Sequence, residues 1–81
     1  MMHPDQIKQL ILAGLPCEHL AIDGDGHHFE AVIVSAEFTG KSRVQRQQRV
    51  YQTLREKLDS GELHALSFKT LTPEEWSTQR G

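Results

Sequence analysis

The stretch His64-Ala65-Leu66-Ser67-Phe68-Lys69-Thr70-Leu71-Thr72-Pro73-Glu74-Glu75-Trp76 decides the fold. Leu66 and Phe68 alternate with Ala65, Ser67 and Lys69, the period-two pattern of a half-buried strand. Thr72 then reads as a helix cap, and Pro73 suits the first helical position, where its missing N–H needs no partner. Glu75, three residues after Thr72, completes a capping box. His64 shares the parity of Leu66 and Phe68, so it is expected at the mouth of the strand, at the edge of its core-facing side.

Working outward, the same logic orders the rest of the chain. Pro4 and Asp5 open a first helix, whose apolar face is Ile7, Leu10, Ile11 and Leu15. Gly14 and Pro16 end it. Cys17 to Asp23 reads as a short strand, with Leu20 and Ile22 alternating against His19 and Ala21. Asp23-Gly24-Asp25-Gly26 is a turn, since these residues tolerate positive φ. His27 to Ser35 is a second strand, apolar on both parities and expected at the centre of the sheet. After the loop Glu37 to Lys41, Ser42 and Gln45 form a second capping box and start a long helix. Its inward stripe is read as Val44, Gln47, Tyr51, Leu54 and Leu58, with a break placed near Gln48 and a left-handed stop at Gly61. A helical crossover joins the second and third strands, so they are expected to pair in parallel within one three-stranded sheet. The reading is an α+β domain of order α-β-β-α-β-α, spanning residues 1–81 as one unit.

Composition excludes several classes. The chain has 81 residues, 37% hydrophobic and 25% charged, as expected of one small globular domain. No apolar run approaches the roughly 20 residues of a membrane span, and no basic-then-apolar leader opens the chain, so a cytoplasmic protein is expected. Cys17 is the single cysteine, which rules out an intramolecular disulfide. A lone cysteine is more often a small buried hydrophobe than a nucleophile. No HExxH, P-loop, dinucleotide fingerprint or Ser-His-Asp order is present, and no enzyme is expected.

Two groups of residues carry chemistry. The first is histidine: His64 opens the third strand, and His27 and His28 open the second. If those strands are neighbours, the imidazoles stand close, and imidazole is a good ligand for zinc, iron or copper. With no second cysteine the chain cannot close a four-ligand site by itself, so a partner would have to supply the rest. The plainer alternative is a hydrogen-bonded boundary histidine and two polar turn residues. The second group is basic: Lys41, Arg43, Arg46, Arg49, Arg55 and Lys57 hold six of the nine lysines and arginines, opposed only by Glu56. Such a run is either a solvated helix face or a site for phosphates or an acidic partner.

The stretch HALSFKTLTPEEW, preceded by His28-Phe29, the run Val32-Ile33-Val34-Ser35, Phe38-Thr39-Gly40 and Ser42-Arg43-Val44-x-Arg46-Gln47, resembles the BolA-like proteins, in particular their short bacterial members. The resemblance runs from about Ile7 to Arg80 and implies a fold similar to type II KH domains. It implies a non-enzymatic adaptor that pairs with a monothiol glutaredoxin and shares a [2Fe-2S] cluster with it and with glutathione, in cluster assembly, delivery or stress response. By the HAL motif, the family's C-terminal histidine ligand falls on His64. The second ligand in several members is a His or Cys of the loop between the first two strands. Here that position holds Asp25, so His28 is preferred and His27 is the runner-up. Arg43, Arg46, Arg49 and Lys69 are expected to contact the partner, glutathione or nucleic acid. Alone, the chain is expected as a monomer or weak homodimer without a cofactor. The alternative is a KH-like DNA-binding transcriptional regulator that uses the basic helix. Against it, Gly40-Lys41-Ser42-Arg43 lacks the second glycine of a GxxG phosphate clamp.

Overall fold

The computed structural model describes residues 2–25 and 27–80, so Gly26 of the expected turn lies outside the described residues. The elements are α1 (Pro4–Gly14), β1 (His19–Gly24), β2 (His28–Val34), α2 (Arg43–Thr53), α3 (Arg55–Ser60), β3 (Ala65–Leu71) and α4 (Pro73–Arg80), with a 3₁₀ turn at Ala36–Phe38. This is the expected α-β-β-α-β-α order, with the long helix divided in two. The sheet order is β1-β2-β3. β1 and β2 form an antiparallel hairpin in which His19 faces Val34 and Gly24 faces Phe29. β2 and β3 run parallel, with His28 beside Ala65 and Val34 beside Leu71. The central strand is β2, as its apolar content on both parities predicts.

One face of the sheet carries Leu20, Phe29, Ala31 and Ile33, and it is buried with Ile7 and Ile11 of α1, Phe38, and Val50 and Leu54 of the α2 region. Gly24 is required here: a Cβ on it would run into the Phe29 ring and the His28 carbonyl. His19 alternates with Leu20 and points to the opposite face. There the Trp76 ring of α4 stacks on it, with centroids 4.5 Å apart and 16° between the planes. Trp76 therefore anchors the last helix on the far face of the sheet, and not in the main core.

Local signals hold at the helix starts. Ser42 and Gln45 exchange the two bonds of a capping box, and so do Thr72 and Glu75. His3 also caps α1, its Nδ1 accepting the Asp5 N–H at 3.2 Å while its own N–H donates to Gln6 Oε1 at 2.8 Å. Gly61 ends α3 at φ +82°, the left-handed position expected of it.

Two expectations about the long helix need correction. Its inward face is Val50 and Leu54, whereas Val44 is 61% exposed and Tyr51 41% exposed. Counting apolar residues alone missed Arg46 and Arg49, whose stems pack inward while their guanidinium groups reach acceptors beyond the helix. Tyr51 lies at the rim, its ring edge-on to Phe68 at 5.4 Å. The break is at Leu54, φ −114° and ψ 8°, and not near Gln48. Thr53 Oγ1 donates to the Val50 carbonyl at 2.6 Å just before it, a back-bond that bends helices.

Candidate functional site: the histidine end of the sheet

Parallel pairing puts the starts of β2 and β3 at the same end of the sheet. His28 is the register partner of Ala65, and His64 is the residue before Ala65. Neighbouring strands lie about 4.8 Å apart, so His27, His28 and His64 share one short rim. All three are exposed. The His64 ring turns toward the end of α3, its Cε1 3.9 Å from where a Cβ on Gly61 would stand. Register also separates the two candidate second ligands. His28 shares the far face with Ala65. One step further back, His27 falls opposite His64 on the core-side parity.

The turn before β2 is held by Asp25. Its Oδ1 accepts the N–H groups of His27 and His28, both at 2.8 Å, and its own N–H donates to the His28 carbonyl at 3.2 Å. The bonds from His28 and then His27 hold the Asp25 carboxyl below the usual carboxylate range. Asp25 thus fixes the backbone from which the two histidines project. Among the described residues no three His, Cys, Asp or Glu side chains converge to hold a metal ion. What this end presents is imidazole side chains open to solvent, a donor type suited to part of a coordination shell and not to a closed site.

Cys17 is half-buried and its Sγ donates to the Leu15 carbonyl at 3.2 Å. Burial, and then the Glu37 charge, raise its thiol above the ordinary value despite Arg49. That disfavours the thiolate, and His19, two residues along the chain, has its ring stacked on Trp76.

The basic segment divides into engaged and exposed members. Arg46 bonds the Thr70 carbonyl at 3.2 Å, the Lys41 carbonyl at 3.0 Å and Glu75 at 2.8 Å, and its side chain is only 15% exposed. Its guanidinium carbon also lies 6.0 Å from the Phe38 ring centre. Arg49 bonds the Gly14 carbonyl at 2.6 Å and Glu37 at 3.1 Å. Lys57 pairs with Glu62 at 3.3 Å. Arg43 and Lys69 are exposed. Sequence reasoning grouped these cations by type. It had no signal for the backbone carbonyls that claim two of them.

The fold and register account for the resemblance carried by HALSFKTLTPEEW, and comparison with known proteins decides it. The family model described as BolA-like protein matches residues 14–75. The chain belongs to the BolA-like family. It is 37% identical over 79 residues to the acid stress protein IbaG of Escherichia coli strain K12, covering 98% of this chain and 94% of that one. It is 41% identical over 83 residues to the DNA-binding transcriptional regulator BolA of Haemophilus influenzae, covering 90% and 80%. Among solved structures, a BolA protein homologue from Coxiella burnetii superposes with a TM-score of 0.83 at 41% identity, covering 95% of this chain and 99% of that one. The two named relatives are called a stress protein and a regulator, and neither name is that of an enzyme. Among the described residues no helix is long and apolar enough to cross a membrane.

Proposed function

We propose that this BolA-like chain is a non-enzymatic adaptor that pairs with a monothiol glutaredoxin and co-ligates a shared [2Fe-2S] cluster, in cluster assembly, delivery or an iron and redox stress response. One observation carries the reading: the parallel β2–β3 register brings His27 and His28 to the same exposed end of the sheet as His64. Two imidazoles would supply two ligands of a [2Fe-2S] cluster, where imidazole nitrogen in place of thiolate raises the potential. The remaining ligands then come from the glutaredoxin cysteine and glutathione. His64 is the principal ligand. His27, on its face, is favoured by register as the second, with His28 the alternative from sequence. Asp25 is engaged with the backbone and serves to orient them.

Lys69 lies five residues along β3 from His64, about 17 Å at strand spacing. Glutathione held at the histidine rim does not reach that far, so Lys69, and with it Arg43 of the same groove, is assigned to a partner's protein surface. Arg46 and Arg49 act inside the fold.

The test is anaerobic reconstitution with a monothiol glutaredoxin, glutathione, iron and sulfide, followed by visible absorption and circular dichroism. The reading expects a heterodimer spectrum distinct from that of the glutaredoxin homodimer, altered or lost in His64→Ala. An unchanged homodimer spectrum with wild-type protein overturns it.

A second reading, DNA binding, rests on the name of the Haemophilus influenzae relative and on exposed Lys41 and Arg43 beside Gly40. It expects affinity for duplex DNA that falls steeply with salt, with a slope reduced by about one for each cation reversed. Arg43→Glu is the informative variant, because Arg46→Ala disturbs the fold itself.

A further inference from the structure

β3 is an edge strand, bonded to β2 on one side only. The direction of its backbone groups follows from two bonds. The Leu71 carbonyl accepts from Ser35 at the end of β2, so Leu71 and the residues of its parity face inward. The Thr70 carbonyl accepts from Arg46 of α2, so Thr70, Phe68 and Leu66 face outward. Apart from that Thr70 carbonyl, the outward N–H and C=O groups of Leu66, Phe68 and Thr70 make no hydrogen bond among the described residues. Such an unpaired row is a template for another strand.

A groove runs along this edge, with Lys41, Arg43, Arg46 and Gln47 on one wall, Phe68 to Leu71 as the floor and Gln79 of α4 opposite. No carboxylate lines it. Glu75 offsets Arg46, while Lys41, Arg43 and Lys69 enter no ion pair among the described residues. An open strand edge is thus flanked by three uncompensated cations. Lys69 stands on the far face of the sheet, and Lys41 and Arg43 on the helix side.

We propose that the outer edge of β3 is a docking site for an extended acidic segment of a partner protein, which adds to the sheet as a fourth strand. Main-chain bonds to Leu66, to Phe68 and to the Thr70 N–H supply the pairing, and glutamates or aspartates on both parities meet Lys69 on one side and Lys41 and Arg43 on the other. A nucleic acid fits less well. Its phosphates only accept, so the Leu66 and Phe68 carbonyls would face acceptors. The one aromatic residue of the groove, Phe68, already packs against Tyr51 and offers no stacking platform. The cationic groove lies toward the other end of β3 from His64, and the pairing does not depend on cluster ligation.

The test uses the full ¹⁵N-labelled chain and a fluorescent peptide of about nine residues, made of valine and threonine with glutamates on both parities. Saturable binding is expected, with downfield shifts and exchange protection at the amides of Leu66, Phe68 and Thr70. Lys69→Glu, and N-methylation of alternate peptide amides at unchanged charge, should each weaken binding about tenfold or more. His64→Ala should leave it unchanged, so that this site and the cluster reading fail separately. Four results overturn the proposal: equal binding of the N-methylated peptide, tighter occupancy of the groove by an oligothymidine of similar charge, the same amide shifts caused by self-association without peptide, or no shift at millimolar peptide.

Discussion

The two ends of the sheet are built oppositely. At the end where β2 and β3 finish, polar groups are tied into the fold. Ser35 is 1% exposed and bonds the Pro16 and Leu71 carbonyls through its hydroxyl and N–H. Arg46 ties α2 to β3 and α4, Glu75 takes both the Thr72 N–H and the Arg46 guanidinium, and Trp76 lies on His19. At the end where β2 and β3 begin, three histidines stand in solvent, two of them on a turn held by one aspartate. Side-chain ties between elements gather at the first end, while the histidines of the second are left in solvent. A small domain has a thin core, and in this one the three histidines are kept out of it.

Substitutions should divide along that line. The largest effect is expected from Phe38→Ala at the closed end, which removes a fully buried ring and should cost about 4 kcal/mol in urea unfolding. Arg46→Ala should follow at about 2 kcal/mol, because it strips charged hydrogen bonds from two carbonyls and Glu75. In a domain this small that lowers the melting midpoint by about 10 °C. A result near zero would mean that Arg46 is a surface cation after all, and would return it to the candidate binding residues.

The pH dependence of the closed end has a definite sign. The Thr72 N–H, and then the Arg46 guanidinium, hold the Glu75 carboxyl below the ordinary glutamate range. The folded value is depressed, so this stabilisation is present above the ordinary value of about 4.3 and is lost as pH falls through the lower folded value. Trp76 fluorescence should report loosening of α4 over that window in the wild type, and Glu75→Gln should lack the transition. The smallest effect is expected at the open end: His64→Ala, His27→Ala and His28→Ala should each change stability by less than about 0.5 kcal/mol. A loss above about 1 kcal/mol in His64→Ala would recast it as a structural boundary residue and blur the contrast between the ends.

What sequence could reveal follows the same division. Capping boxes at Ser42 and Thr72, the left-handed stop at Gly61 and the alternation of β3 are local, so neighbouring residues specify them. The juxtaposition of His27, His28 and His64 was also reachable, because a crossover helix implies parallel strands with their starts together. The inward roles of Arg46 and Arg49 were not. Their partners are the carbonyls of Thr70 and Gly14, and every residue carries a carbonyl, so no pattern of side chains marks which one will be used. The bend at Leu54 was misplaced for a related reason, since it depends on a Thr53 hydroxyl choosing a backbone acceptor. His27 and His28 are adjacent in sequence, and strand register, not composition, puts them on opposite faces.

The most direct test of the open end as half of a ligand set is pulsed electron paramagnetic resonance on the reduced cluster of the glutaredoxin complex, with histidine nitrogens of this chain labelled with ¹⁵N. The account predicts hyperfine coupling from two histidine nitrogens, one lost in His64→Ala and the other in His27→Ala, with His28→Ala unchanged. Absence of any ¹⁵N coupling from this chain in the wild-type complex would contradict it.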